Sequence, residues 1–89
     1  MPLVPGLSDA VKITVDEARV VTFMGDEHKV YATPSIVSDL EFACRNFLKM
    51  HLPSNQDSVG VRVEIDHLRA TPLGTEVVHD IRVRPLQEI

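Results

Sequence analysis

Residues Tyr31–Leu52, YATPSIVSDLEFACRNFLKMHL, read as the one long helix of the chain. At 3.6 residues per turn, Ile36, Leu40, Ala43 and Phe47 fall in one apolar row, with Val37, Cys44 and Leu48 beside it. Together they form a broad face that needs covering. Glu41 interrupts it, lying four residues after Val37, three before Cys44 and seven before Leu48. Thr33 and Pro34 give the start signal, a hydroxyl at the N-cap followed by a proline where the missing N–H costs nothing. Pro53 sets the end, because the residue before a proline is pushed out of the α region.

Outward from the helix, the pattern changes to a period of two. Val11, Ile13 and Val15 alternate with Lys12, Thr14 and Asp16, the signature of a half-buried strand, after an irregular lead-in over residues 1–8. Arg19–Met24, RVVTFM, is expected to continue as strand after a break near Asp16–Ala18. Gly25–Lys29 is a polar, glycine-led loop in which His28 is solvated. Beyond the polar link Pro53–Asp57, the run Ser58–Ala70 is the clearest strand of the chain. Val59, Val61, Val63, Ile65 and His67 lie on one face, with Gly60, Arg62, Glu64, Asp66 and Leu68 on the other. Thr71-Pro72-Leu73-Gly74 reads as a turn, and Thr75–Val83 alternates again with Val77, His79, Ile81 and Val83 on one face. The last two strands are expected to pair as an antiparallel hairpin, and the chain stops at a proline within Arg84–Ile89. Strand, long helix and two further strands predict the α+β class, an antiparallel sheet with one helix across its face. Hot-dog, ferredoxin-like and cystatin-like arrangements all begin this way.

The 89 residues fit one domain, 1–89, and so small a domain has a marginal core that self-association would reinforce. A formal charge of −4 with scattered Lys and Arg argues against nucleic acid or an anionic membrane as partner. The single cysteine, Cys44, excludes an internal disulfide and any multi-cysteine metal site, and its place on the apolar side of the helix predicts a buried structural thiol. The N-terminal MPLVPGLSDA lacks the basic start and apolar run of a signal peptide, and no stretch approaches the ~20 apolar residues of a membrane span. A soluble, cytoplasmic protein is expected, needing no metal and no cofactor.

Glu41 and His67 are the residues most suited to chemistry. If the valine face of Ser58–Ala70 packs on the helix, His67 shares a layer with Glu41. A carboxylate held in an apolar layer is costly to ionise unless paired, which brings it toward the range useful to a general base. The plainer reading of the same spacing is a buried, hydrogen-bonded structural pair. Thr33 either caps the helix only or stands beside free backbone N–H groups of the kind that form an oxyanion site. Gly60 either permits a bulge or lets a ligand approach the backbone closely.

In combination these residues resemble the fluoroacetyl-CoA thioesterase-like group of hot-dog proteins. The likeness runs through Val30-Tyr31-Ala32-Thr33-Pro34, Glu41 eight residues after Thr33, Ser58-Val59-Gly60-Val61-Arg62-Val63, His67 and Ala70-Thr71-Pro72-Leu73-Gly74, across about residues 8–83. The resemblance implies a hot-dog fold, an acyl-CoA substrate, a catalytic set on Thr33, Glu41 and His67, and a substrate-lining glycine at Gly60. It implies hydrolysis of a short or medium acyl-CoA; the alternative is a non-catalytic binding or assembly module that holds acyl-CoA without turnover. Members of that group continue into two further strands, so a chain ending at Ile89 is expected to leave an open sheet edge and to favour a homodimer or higher oligomer.

Overall fold

The alternation of Val11, Ile13 and Val15 forms strand β1, Ser8–Thr14, in the computed structural model, which describes residues 3–84. Its partner is β2, Glu76–Arg82, paired antiparallel with Val11 opposite His79 and Ile13 opposite Val77. The ladder extends past Ser8, where the Gly6 N–H donates to the Val83 carbonyl at 2.8 Å and the Val83 N–H to the Leu7 carbonyl at 2.8 Å. The lead-in is therefore shorter than eight residues. Met1, Pro2 and the expected stop over Pro85–Ile89 lie outside the described residues.

Helix α1 covers Thr33–Lys49, 17 residues and about 25 Å of rise. It lies against the inner face of the β1–β2 pair, giving an α+β arrangement consistent with a hot-dog fold of which the described residues hold the long helix and one strand pair. Two clusters make the core. Ala43 and Phe47 of the helix pack with Ile81 of β2, and Val11 and Val83 close around them. Val15, Val20 and Tyr31 form the second, into which Ile36 and Val77 reach. The inward residues read from the sequence of both strands and of the helix row are those the fold buries or half-buries. None of the helices among the described residues is long and apolar enough to cross a membrane.

Four expectations need correction. Thr33 is not the N-cap: Ala32 is, in extended conformation, and Thr33 is the first helical residue. The helix ends at Lys49, and the remaining stretch to Leu52 tightens into three-residue turns, with the His51 N–H donating to the Leu48 carbonyl at 2.9 Å. Arg19–Met24 is no strand. Its start is a turn over Glu17–Arg19, and pairing is confined to an isolated bridge, Val20 with Tyr31, before the chain reverses near the exposed Phe23. The fourth correction concerns Ser58–Ala70, which carries the alternation of a strand but no ladder. The expected hairpin fails because Thr71–Gly74 turns the chain elsewhere. The Leu73 N–H donates to the Lys29 carbonyl at 3.0 Å and the Gly74 N–H to the Val15 carbonyl at 2.7 Å, so β2 is delivered to β1.

Candidate functional site

Helix α1 and the unpaired run Ser58–Ala70 face each other across a cavity of about 480 Å³. From the helix, Leu40 of the main apolar row supplies apolar wall together with Val37, Cys44 and Leu48, the three residues the sequence placed beside that row. Opposite them stand Val59, Val63 and Ile65. A cavity of this size and lining suits a small organic ligand. Glu41 contributes a carboxylate to the wall, and Phe42 beside it is an aromatic that the helical row did not include.

Gly60 and Glu41 meet closely. A Cβ built on Gly60 would lie 2.6 Å from Glu41 Oε1, so the absence of a side chain is what lets the carboxylate approach that backbone. Glu41 itself is exposed, which corrects the expectation of a carboxylate enclosed in an apolar layer. The physical reason is the missing ladder: without a strand partner, the 58–70 run does not seal the helix face.

Thr33 and His67 are also brought together. Thr33 Oγ1 lies 2.9 Å from His67 Nδ1, a hydrogen bond across 34 residues of sequence. The hydroxyl that looked like a helix cap makes no capping bond and holds the imidazole instead. Among the described residues no hydrogen bond links Glu41 with His67. Thr33 and Glu41 are eight residues apart on one helix, about 12 Å of rise. The four residues therefore form two pairs, Thr33 with His67 at the helix start and Glu41 with Gly60 further along.

Cys44 lines the cavity half-buried, and burial, helped by the Glu41 charge, pushes its thiol above the ordinary value. That keeps it protonated and unreactive at neutral pH. On the rim, Arg45 grips Asp57 through Nε at 3.1 Å and a terminal nitrogen at 2.6 Å. This hydrogen bond, with a second from the Ser58 N–H, holds the Asp57 carboxyl down at about 2.

A separate polar cluster escaped the sequence reading. Asp39 accepts from Arg19 Nε at 2.8 Å and from the Tyr31 hydroxyl, which also lies 3.2 Å from His79 Nε2. Tyr31 and Asp39, two helical turns apart in spacing, were its only local signal. Arg19 and His79 come from distant segments, and no periodicity links them.

The sequence profile of the fluoroacetyl-CoA-specific thioesterase family matches residues 15–88, which takes in the helix, the cavity and β2. No curated protein and no solved structure matches the chain.

Proposed function

The chain belongs to the fluoroacetyl-CoA-specific thioesterase family, and from that premise we propose that it is a cytoplasmic homodimeric hydrolase that cleaves the thioester of a short or medium acyl-CoA. The observation that carries the reading is the Glu41 carboxylate on the wall of the 480 Å³ apolar cavity, against the bare backbone of Gly60. The acyl chain occupies the cavity, and its thioester carbonyl lies within reach of Glu41. Glu41 takes a proton from water as the water oxygen attacks the carbonyl carbon. Alternatively it attacks the carbon itself to give a mixed anhydride that water then opens. In either route the C–S bond breaks, the CoA thiolate takes up a proton, and carboxylic acid and free CoA leave.

In this reading His67 assists the proton transfers and Thr33 fixes its ring through the Oγ1 to Nδ1 bond. His67 sits on the 58–70 run, so ordering that run against a partner strand sets where its imidazole stands relative to the thioester at Glu41. The single cysteine and the small core support a reducing compartment and a dimer.

The test is release of free thiol from a panel of acyl-CoA esters by the purified chain. Glu41→Gln is expected to lower the rate by about 100-fold or more, and His67→Ala by about 10-fold or more. Unchanged rates in both variants would overturn the proposal. The exposure of Glu41 and its separation from His67 favour one second reading, a module that binds a CoA ester without turnover. Saturable binding with no thiol released from wild-type protein would establish that reading instead.

A further inference from the structure

Side chains of α1 hold the 58–70 run near both of its ends. Thr33 at the helix start bonds His67, and Arg45, about three turns further along the helix, grips Asp57 immediately before the run. Between these two bonds Gly60 comes up against Glu41. Asp57 accepts from Arg45 on both carboxylate oxygens, from Nε at 3.1 Å and from a terminal nitrogen at 2.6 Å, and it also accepts the Ser58 N–H at 2.8 Å. The grip of the helix is thus passed directly to the first residue of the run.

Arg45 has a second acidic neighbour. Glu41 precedes it by four residues on the same helix, and a glutamate placed N-terminal to a cation at that spacing is the arrangement in which two helical side chains meet best. Both residues line the cavity. Among the described residues, however, no ion pair joins them, and the guanidinium is turned to Asp57. The two acceptors differ in what a guanidinium would do to them. On Glu41 it would occupy the oxygens and stabilise their charge, the opposite of what a base or nucleophile needs. On Asp57, whose carboxyl is held at about 2, it only completes a stable ion pair.

We propose that Asp57 is a positioning residue of the thioesterase site, which diverts Arg45 from Glu41 and so leaves that carboxylate free, while the same grip keeps Gly60 beside it. This rests on the hydrolase reading and names a further residue for it. Its consequence is an asymmetry between the two partners of one ion pair. Losing either partner opens the grip and loosens the run. Losing Asp57 alone also releases a guanidinium within reach of Glu41, whereas losing Arg45 releases none.

The test is thiol release by the full chain carrying Asp57→Asn, Arg45→Gln or both, since asparagine keeps an acceptor for the Ser58 N–H. Arg45→Gln and the double variant are expected to be equally active. Asp57→Asn is expected to fall about 2-fold to 3-fold below both, in kcat with KM unchanged, the effect of a helix-surface pair competing for one carboxylate. In about 1 M salt, where charges act over only ~3 Å, that gap is expected to close. A grip that is structural alone predicts equal losses in the two single variants at either salt, and that result overturns the proposal. Carbodiimide coupling of Glu41 to an amine, read by peptide mass, needs no turnover. A carboxylate held by a guanidinium couples more slowly, so Asp57→Asn is expected to label Glu41 about 2-fold to 3-fold more slowly than the double variant does. Slower labelling in a protein whose wild type releases no thiol sustains the diversion of Arg45 and overturns the hydrolase reading. Equal labelling and equal rates in all three variants of an active enzyme overturn the role of Asp57 and leave the hydrolase reading.

Discussion

A methyl group on Gly60 would stand 2.6 Å from Glu41 Oε1, closer than any contact two such atoms sustain, so one of them has to move. The one that moves is Glu41, the far end of a flexible and exposed side chain, and the backbone at Gly60 has no left-handed φ that an alanine would strain. Gly60→Ala therefore separates stability from activity. Its folded state loses little, and restricting the unfolded chain contributes up to about 1 kcal/mol in its favour. The displaced carboxylate, however, no longer meets a thioester carbonyl at the required distance, where misplacement by about 1 Å is enough to cost on the order of 100-fold. The expected outcome is an unchanged or slightly raised Tm with thiol release lowered by about 10-fold or more. Equal activity in wild type and Gly60→Ala would show that the close approach has no catalytic purpose.

Elements are tied together here by one carboxylate. Asp39 on α1 receives Arg19 from the turn before the Val20 bridge and Tyr31 from the bridge itself, and through Tyr31 it reaches His79 on β2. Burial alone would push its carboxyl up. The hydrogen bonds from Arg19 and Tyr31, together with the Arg19 charge, outweigh that and hold it below the ordinary 3.8. Because the folded value lies below the unfolded one, the contribution is complete at pH values above about 4 and is lost as pH falls through the folded value. Burial and the Asp39 carboxylate together push the Tyr31 hydroxyl up, so it remains a donor throughout this range. Thermal unfolding is thus expected to be flat from neutral pH to about pH 5 and to fall steeply below pH 4. Asp39→Asn is expected to lose about 1–2 kcal/mol at neutral pH and to show a shallower acid limb. A parallel acid limb in the variant would assign the acid loss to other carboxylates.

At the scale of the whole molecule, alternation and helical spacing told which side chains turn inward, and they did so for β1, for β2 and for the Ala43–Phe47 row. They did not tell which strand meets which. Period-two patterning fixes the face of a strand and not its neighbour, and the bonds that send β2 to β1, from Leu73 to Lys29 and from Gly74 to Val15, join segments that no local pattern connects. The candidate site was legible as a set of residue types and not as a geometry, because the Thr33 to His67 contact spans 34 residues and the exposure of Glu41 depends on whether the 58–70 run is sealed. Hydrogen exchange reads that sealing directly. In β1 and β2 the backbone N–H groups facing the neighbouring strand are held by an intramolecular ladder, so their protection is expected to be independent of protein concentration over a hundredfold dilution. Amides of residues 59–67 have no ladder within one chain, and any protection there has to come from a second chain, hence by mass action. The expected profile is protection at alternate positions from 59 to 67 that fades on dilution while the β1–β2 amides stay protected. Since His67 rides on the same run, the specific rate of thiol release is expected to fall over the same dilution range, and a rate that stays constant while the 59–67 amides lose protection would uncouple the pairing from the chemistry.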